Sequence, residues 1–266
     1  MKPLPARFSK DRKPLLSLED WERFAGPKSA CQWVDGRSAK EVARAWLAGG
    51  GDDGLPPEVS AVLRAHPRFG QLLDWTAEPE ARLRFDRFPG EPRNSDLVVH
   101  AKDHFGPYLL AIEAKADEPY GDTLEKTLQA AMARRLANPR SKGLARIEQL
   151  FQRFFHASMD ALPGLVGLRY QLLTACAGAI VEAEHRGYGR AVMLVHEFIT
   201  DKTRDEHHVR NAQDLLAFVN AVAREKADFL VPATLYGPFS FPSVDVGGST
   251  ELFIGKVSRD LRSHAT

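Results

Sequence analysis

Asp96, Glu113 and Lys115 have the side-chain types and spacing to bring two acids and an amine together where a divalent metal could be held. Asp96 opens the apolar run Leu97-Val98-Val99-His100, and a polar turn follows at Lys102-Asp103-His104-Phe105-Gly106. A second run, Pro107 to Lys115, ends on Glu113-Ala114-Lys115. Two apolar runs joined by a Gly-containing turn predict a β-hairpin. Alternation along a strand puts Glu113 and Lys115 on one face and Ile112 and Ala114 on the other. The hairpin returns the second acid to the end of the sheet where the first begins, so two carboxylates and an amine converge there. A hard ion such as Mg²⁺ (or Mn²⁺) takes one or two carboxylates and keeps several waters. The competing account makes Asp96 a strand-entry cap and Glu113 with Lys115 a surface ion pair. Leu109, Leu110, Ala111, Ile112 and Ala114 are apolar on both faces and weigh against it, because charges at the end of a buried strand need a partner or a metal.

The elements that must hold these residues are readable from periodicity. Pro56-Pro57-Glu58 starts a helix, and Phe69 to Trp75 is expected to add a helical stretch. Ala81 to Phe88 alternates as a half-buried strand, with Leu83 and Phe85 on one face and arginines opposite, which completes a three-strand meander with the hairpin. Helices are expected from Thr123 to Leu136, along the stripe Ile147, Leu150, Phe151, Phe154, Phe155, and from Leu168 to about Arg186. Arg190 to Thr200 reads as a buried strand after a crossover helix. An amphipathic helix from His207 to Arg224 and two short strands, Asp228 to Tyr236 and Glu251 to Val257, finish the chain. Upstream, Ser17 is expected to cap one helix, and Ser38 with Glu41 to form a capping box on the next. The loop from Gly49 to Pro57 divides an N-terminal arm and helical element (1–50) from an α/β domain (51–266). The order of elements predicts an α/β class with a central sheet.

Composition narrows the function classes. The chain has 266 residues, 44% of them hydrophobic, enough for a substantial core. Cys31 and Cys176 are too few for a disulfide framework or a cysteine zinc site. No apolar run reaches a membrane span and no signal peptide is read at the start, so a cytoplasmic location is the expectation. The net charge of +1 argues neither for nor against a polyanion partner. Locally, Arg134, Arg135, Arg140, Lys142 and Arg146 form a basic cluster, and Lys2, Arg7, Lys10, Arg12 and Lys13 a basic tail. The histidines do not assemble into a ligand set, and His196 reads as a core residue. No P-loop or nucleophile elbow is present, and Gly247-Gly248 beside Ser249 is too little for a phosphate cradle.

With Ser95-Asp96 where the family has Pro-Asp, and Glu113-Ala114-Lys115 for its (D/E)-x-K, the stretch from about Leu55 to Thr200 resembles the PD-(D/E)xK phosphodiesterase superfamily. Sixteen residues, 97 to 112, separate the two acids. Ser95 replaces the signature proline, and the helices from Thr123 to Arg186 exceed the minimal connection. The resemblance implies a restriction-endonuclease-like core of helix, three-strand meander, helices and further strand, with N-terminal helical and C-terminal strand additions. It implies Mg²⁺ (or Mn²⁺) held by Asp96, Glu113 and the Ala114 carbonyl. Lys115 would orient or deprotonate the attacking water, a role favoured if burial lowers its pKa. Glu58 is the acid expected from the first core helix, with Glu78 or Glu80 as alternatives; Asp117 and Glu118 could also approach. Arg169 and Gln171 open the long buried helix, and Arg169 either snorkels to solvent or points at an anion; both are marked as substrate-proximal. The implied activity is metal-dependent hydrolysis of DNA, with a homodimer among the expectations. A non-catalytic scaffold that retains the fold is the alternative, and a phosphoesterase for a small nucleotide a third.

Overall fold

The computed structural model describes residues 7–27, 29–155, 164–224, 227–241 and 250–263. The first residues of the basic tail and the Gly247-Gly248 loop lie outside them. The pair β1 (Ser9–Lys10) and β2 (Lys13–Pro14) leads into helices α1 (Leu18–Ala25), α2 (Ser38–Ala48) and α3 (Pro57–Ala65). Ser17 caps α1 as expected, accepting the Asp20 amide at 3.2 Å. The start of α2 differs from the expected box. Arg37 is its cap residue, and Glu41 reaches past Ser38 to accept the Gly36 amide at 2.7 Å.

The meander follows as β3 (Leu72–Leu83), β4 (Arg93–Asp103) and β5 (Gly106–Lys115), all antiparallel. Two expectations are corrected here. Trp75 belongs to a strand, because Trp75 and Ala77 are buried among more exposed neighbours at period two. The chain leaves the sheet after Leu83, where Arg84 binds the Phe88 and Gly90 carbonyls at 2.9 and 2.7 Å and closes a loop in place of the strand expected to Phe88. Next come α4 (Leu124–Ala137), α5 (Gly143–Phe155), α6 (Tyr170–His185), β6 (Arg190–Ile199), α7 (Asp205–Ala223), β7 (Leu235–Ser240) and β8 (Glu251–Asp260). The strand expected from Asp228 begins only at Leu235.

The sheet has the order β3-β4-β5-β6-β8-β7, with β5, β6 and β8 mutually parallel and the outer pairs antiparallel. Helix α6 is the crossover between β5 and β6. It packs with α5 and α7 on one face, where Phe151, Leu172, Cys176 and Phe218 meet Leu83, Val98, Ala111 and Met193. On the other face Trp21, Trp46 and Val59 meet Trp75, Leu97, Ile112 and Leu194. The N-terminal helices therefore share a core with the sheet. Each large side chain buried there contributes about 1.5–3 kcal/mol.

One irregularity governs the site. Pairing runs from Pro79↔Leu97 to Ala81↔Ser95 with no pair at Glu80 and Asp96. Trp75 and Ala77 face the N-terminal helices, whereas Ala81 and Leu83, of the same parity, lie under α6. The strand thus changes faces at Glu80, whose φ of 49° is a left-handed conformation uncommon for residues with a side chain. Arg93, paired with Leu83, is carried to the α6 side by the same inversion.

Candidate functional site

The ladder between β4 and β5 ends at Leu97↔Ile112, which leaves the Ala114 amide without a strand partner. It donates instead to Asp96 Oδ2 at 2.7 Å. The amide and carbonyl of one strand residue point to the same edge, so the Ala114 carbonyl is turned toward the Asp96 side as well. Glu113 and Lys115 alternate to the α6 face and are 3% and 5% exposed. Lys115 Nζ donates to Glu113 Oε1 at 3.1 Å and to Gln171 Oε1 at 3.4 Å. The Gln171 amide nitrogen donates to Glu113 Oε1, and the Arg93 guanidinium to Glu113 Oε2. The Lys115 ammonium also lies 5.4 Å from the centre of the Tyr120 ring.

These groups open into a cleft of about 370 Å³ lined by Glu80, Asp96, Glu113, Lys115, Glu118 and Gln171. The N-terminal segment forms another wall through Cys31, Arg37 and Ser38. Asp117 holds that wall in place, with Arg37 at 2.7 Å and His207 at 3.3 Å.

The two acids are held in different states. Burial, then the neighbouring Glu113 charge, pushes the half-buried Asp96 up to about 7, against the opposing pull of Lys115. Burial acts on Glu113 in the same direction, but Lys115 and Arg93 outweigh it and hold Glu113 below its ordinary value. A pair of carboxyls driven apart in this way is the pattern of sites that handle protons or ions. Lys115 departs from expectation. Burial does act to lower it, but Glu113, Asp96 and Glu118 outweigh burial and raise it.

Asp96, Glu113, Ala114, Lys115 and Gln171 are brought together; Glu58 and Arg169 are not. Glu58 lies on the opposite face of the sheet, where His196 approaches at 2.7 Å and Arg259 binds both oxygens at 2.7 and 2.9 Å. Burial would raise Glu58, but these partners outweigh it and take it down to about 2. Glu80 and Glu118 line the cleft in its stead. Glu78 pairs with Lys10 at 3.0 Å. Arg169 binds Asp214 at 2.8 Å and the Gly121 carbonyl at 2.9 Å, tying the start of α6 to α7. His196 is the hydrogen-bonded core residue expected of it, between Trp46 Nε1 and Glu58. Sequence reasoning missed Arg93, whose presence in the site depends on the inversion at Glu80.

Among the described residues no three His, Cys, Asp or Glu side chains gather to hold a metal by themselves. Two carboxylates, a backbone carbonyl and water nevertheless make an all-oxygen donor set of the kind Mg²⁺ accepts.

Fold and cleft together define a three-layer α/β protein with a mixed six-stranded sheet and a buried acid–acid–lysine cluster where its meander ends. Residues 14–260 match the family described as a domain of unknown function, DUF6946, and the chain belongs to that family. No curated protein and no solved structure matches the chain. Among the described residues no helix is long and apolar enough to cross a membrane.

Proposed function

We propose that this chain is a metal-dependent nuclease of the PD-(D/E)xK, restriction-endonuclease-like type, hydrolysing phosphodiester bonds in DNA. The observation that carries the reading is the convergence of Asp96, Glu113, Ala114 and Lys115 in one cleft. The order α3, meander, α6, β6 agrees with it. A cytoplasmic location and a homodimer belong to the same reading.

Asp96, Glu113 and the Ala114 carbonyl are the residues that would hold Mg²⁺ or Mn²⁺. Such an ion, when bound, polarises a phosphoryl oxygen and makes a bound water more acidic. Lys115, raised by Glu113, Asp96 and Glu118, is placed to orient the attacking water and offset phosphate charge. Gln171 fixes Lys115 and Glu113 relative to each other through one amide group.

One observation favours the scaffold reading: Glu113 already has Arg93, Lys115 and Gln171 on its two oxygens, a satisfied set that needs no ion. The two readings separate in one experiment. Purified protein with Mg²⁺ or Mn²⁺ is expected to cleave DNA, and Lys115→Ala to reduce the rate by about 10²–10³-fold with circular dichroism unchanged. Equal cleavage by Lys115→Ala would sink the nuclease assignment. A wild-type protein that neither cleaves DNA nor binds Mn²⁺ by calorimetry is a scaffold.

A further inference from the structure

Arg93 reaches Glu113 from beside the cleft, on the α6 side of the sheet. Its guanidinium lies against Glu113 Oε2, and Nη1 donates to the Asn94 carbonyl at 2.8 Å. The side chain is only 9% exposed, and Nε is buried with no hydrogen-bond partner among the described residues. A buried donor left unpaired calls for an explanation, such as a second position in which it is paired.

A second groove, of about 200 Å³, gives that position. Arg93 lines it together with Arg84, Arg146, Tyr170 and Thr174, between the loop after β3 and helix α6. Arg146 is committed there to Asp86, through Nε and through Nη2 at 3.2 Å. Among the described residues Arg84 binds the neutral Phe88 and Gly90 carbonyls and no carboxylate. Arg93 thus stands between a pair of carboxylates and a groove that holds another guanidinium.

We propose that Arg93, beside Lys115, is the displaceable counter-cation of Glu113 and a phosphate ligand of the same site. It neutralises Glu113 while no divalent ion is bound, is displaced when one enters, and turns into the Arg84 groove to take a phosphate of the nucleic-acid backbone. The inference rests on the nuclease reading. Two carboxylates in a buried site require compensating positive charge, which Lys115 and the guanidinium supply in one state and Lys115 and the ion in the other. The guanidinium and the ion would compete for Glu113 Oε2, so occupancy by one disfavours the other. The freed guanidinium has the planar fork that matches phosphate oxygens.

The test measures Mn²⁺ binding by calorimetry, and binding of a short fluorescein-labelled oligothymidylate by anisotropy in Mn²⁺, on the full chain and its Arg93→Gln variant. Removing the competitor is expected to tighten Mn²⁺ binding about tenfold, within the usual range of coupling between two ligands of one site. Mn²⁺ should raise the melting temperature of Arg93→Gln more than that of the wild type, and oligothymidylate binding should weaken about fivefold or more. An arginine that only holds the fold would lower the melting temperature and leave Mn²⁺ affinity unchanged or weaker. That result overturns the proposal while leaving the nuclease reading intact if Lys115→Ala still loses cleavage. Absence of Mn²⁺ binding in both proteins overturns both. Should Arg93→Gln not fold, Arg93→Lys takes its place. Its ammonium keeps the charge but lacks the fork, so oligothymidylate binding in Mn²⁺ must weaken, and unchanged oligothymidylate binding again defeats the proposal.

Discussion

The β4–β5 hairpin has a buried or half-buried aspartate toward each end, and the two are in opposite electrostatic states. At the turn, Asp103 accepts Arg190 Nη1 at 2.9 Å and Nη2 at 2.6 Å, and the amides of Gly70 and Phe105 at 2.9 and 2.8 Å. The rings of Phe69 and Tyr108 enclose the guanidinium at 5.1 and 5.0 Å. Burial would raise Asp103, but Arg190 and the amides outweigh it and hold the carboxyl below its ordinary range. At the open end, Asp96 receives the Ala114 amide and faces a second carboxylate across the cleft. It rises to about 7. Residue type and strand are the same, so the difference lies in the donor set: complete at the turn, incomplete at the cleft. An incomplete donor set around a buried acid is a mark of sites that take a ligand.

Breaking the finished end should have the largest effect. Arg190→Met leaves Asp103 ionised, buried and without its counter-charge, and is expected to cost about 3–5 kcal/mol in urea unfolding. A loss under about 1 kcal/mol would mean that Asp103 simply takes up a proton, and the contrast between the two ends would disappear.

The unfinished end should respond in the opposite direction. In a chelator, Asp96→Asn removes a carboxyl that the fold disfavours in its charged form while keeping an acceptor for the Ala114 amide. It should stabilise the protein by about 1–2 kcal/mol at pH 8, a discounted figure because water reaches part of the group. The sign follows from proton binding. Below the ordinary value of 3.8 both folded and unfolded chains hold the proton and the substitution changes little. Between there and about 7 the unfolded chain gives up its proton first, so wild-type stability falls as pH rises. The Asn variant should lack this slope in urea titrations from pH 4 to 8. If it is instead the less stable protein at pH 8, Asp96 is as well satisfied as Asp103.

Much of this comparison was legible in the sequence. The hairpin, its acids and Lys115 follow from period-two alternation and one Gly turn, and Gln171 from its place at the start of an apolar helix. Helix α3 and strand β6 were readable for the same reason, since periodicity and terminal signals are local. What escaped is non-local. The acid expected from the first helix, Glu58, lies on the wrong face because α3 as a whole packs on the side of the sheet opposite α6, where Glu58 meets His196 and Arg259. The raised Lys115 reflects the summed field of three acids from two segments, which spacing does not report. The insertion of β8 between β6 and β7 depends on the return path of the chain. The face change at Glu80 had no signal, because a glycine or asparagine would have marked a left-handed position and a glutamate does not.

That inversion allows the smallest and most local test. At Glu80, φ of 49° costs a side-chain-bearing residue about 1–2 kcal/mol relative to a right-handed conformation. Glycine avoids most of this but loses more backbone freedom on folding, about 0.5–1 kcal/mol. Comparing Glu80→Gly with Glu80→Ala removes the carboxylate, and its bond from Asn94, from both sides of the difference. Glycine should therefore be the more stable of the two by about 1 kcal/mol in thermal melts. Equal stability, or an advantage for alanine, would mean that the strands can change faces without a left-handed residue. The route by which Arg93 reaches Glu113 would then depend on the packing of Ala81 and Leu83 under α6 alone.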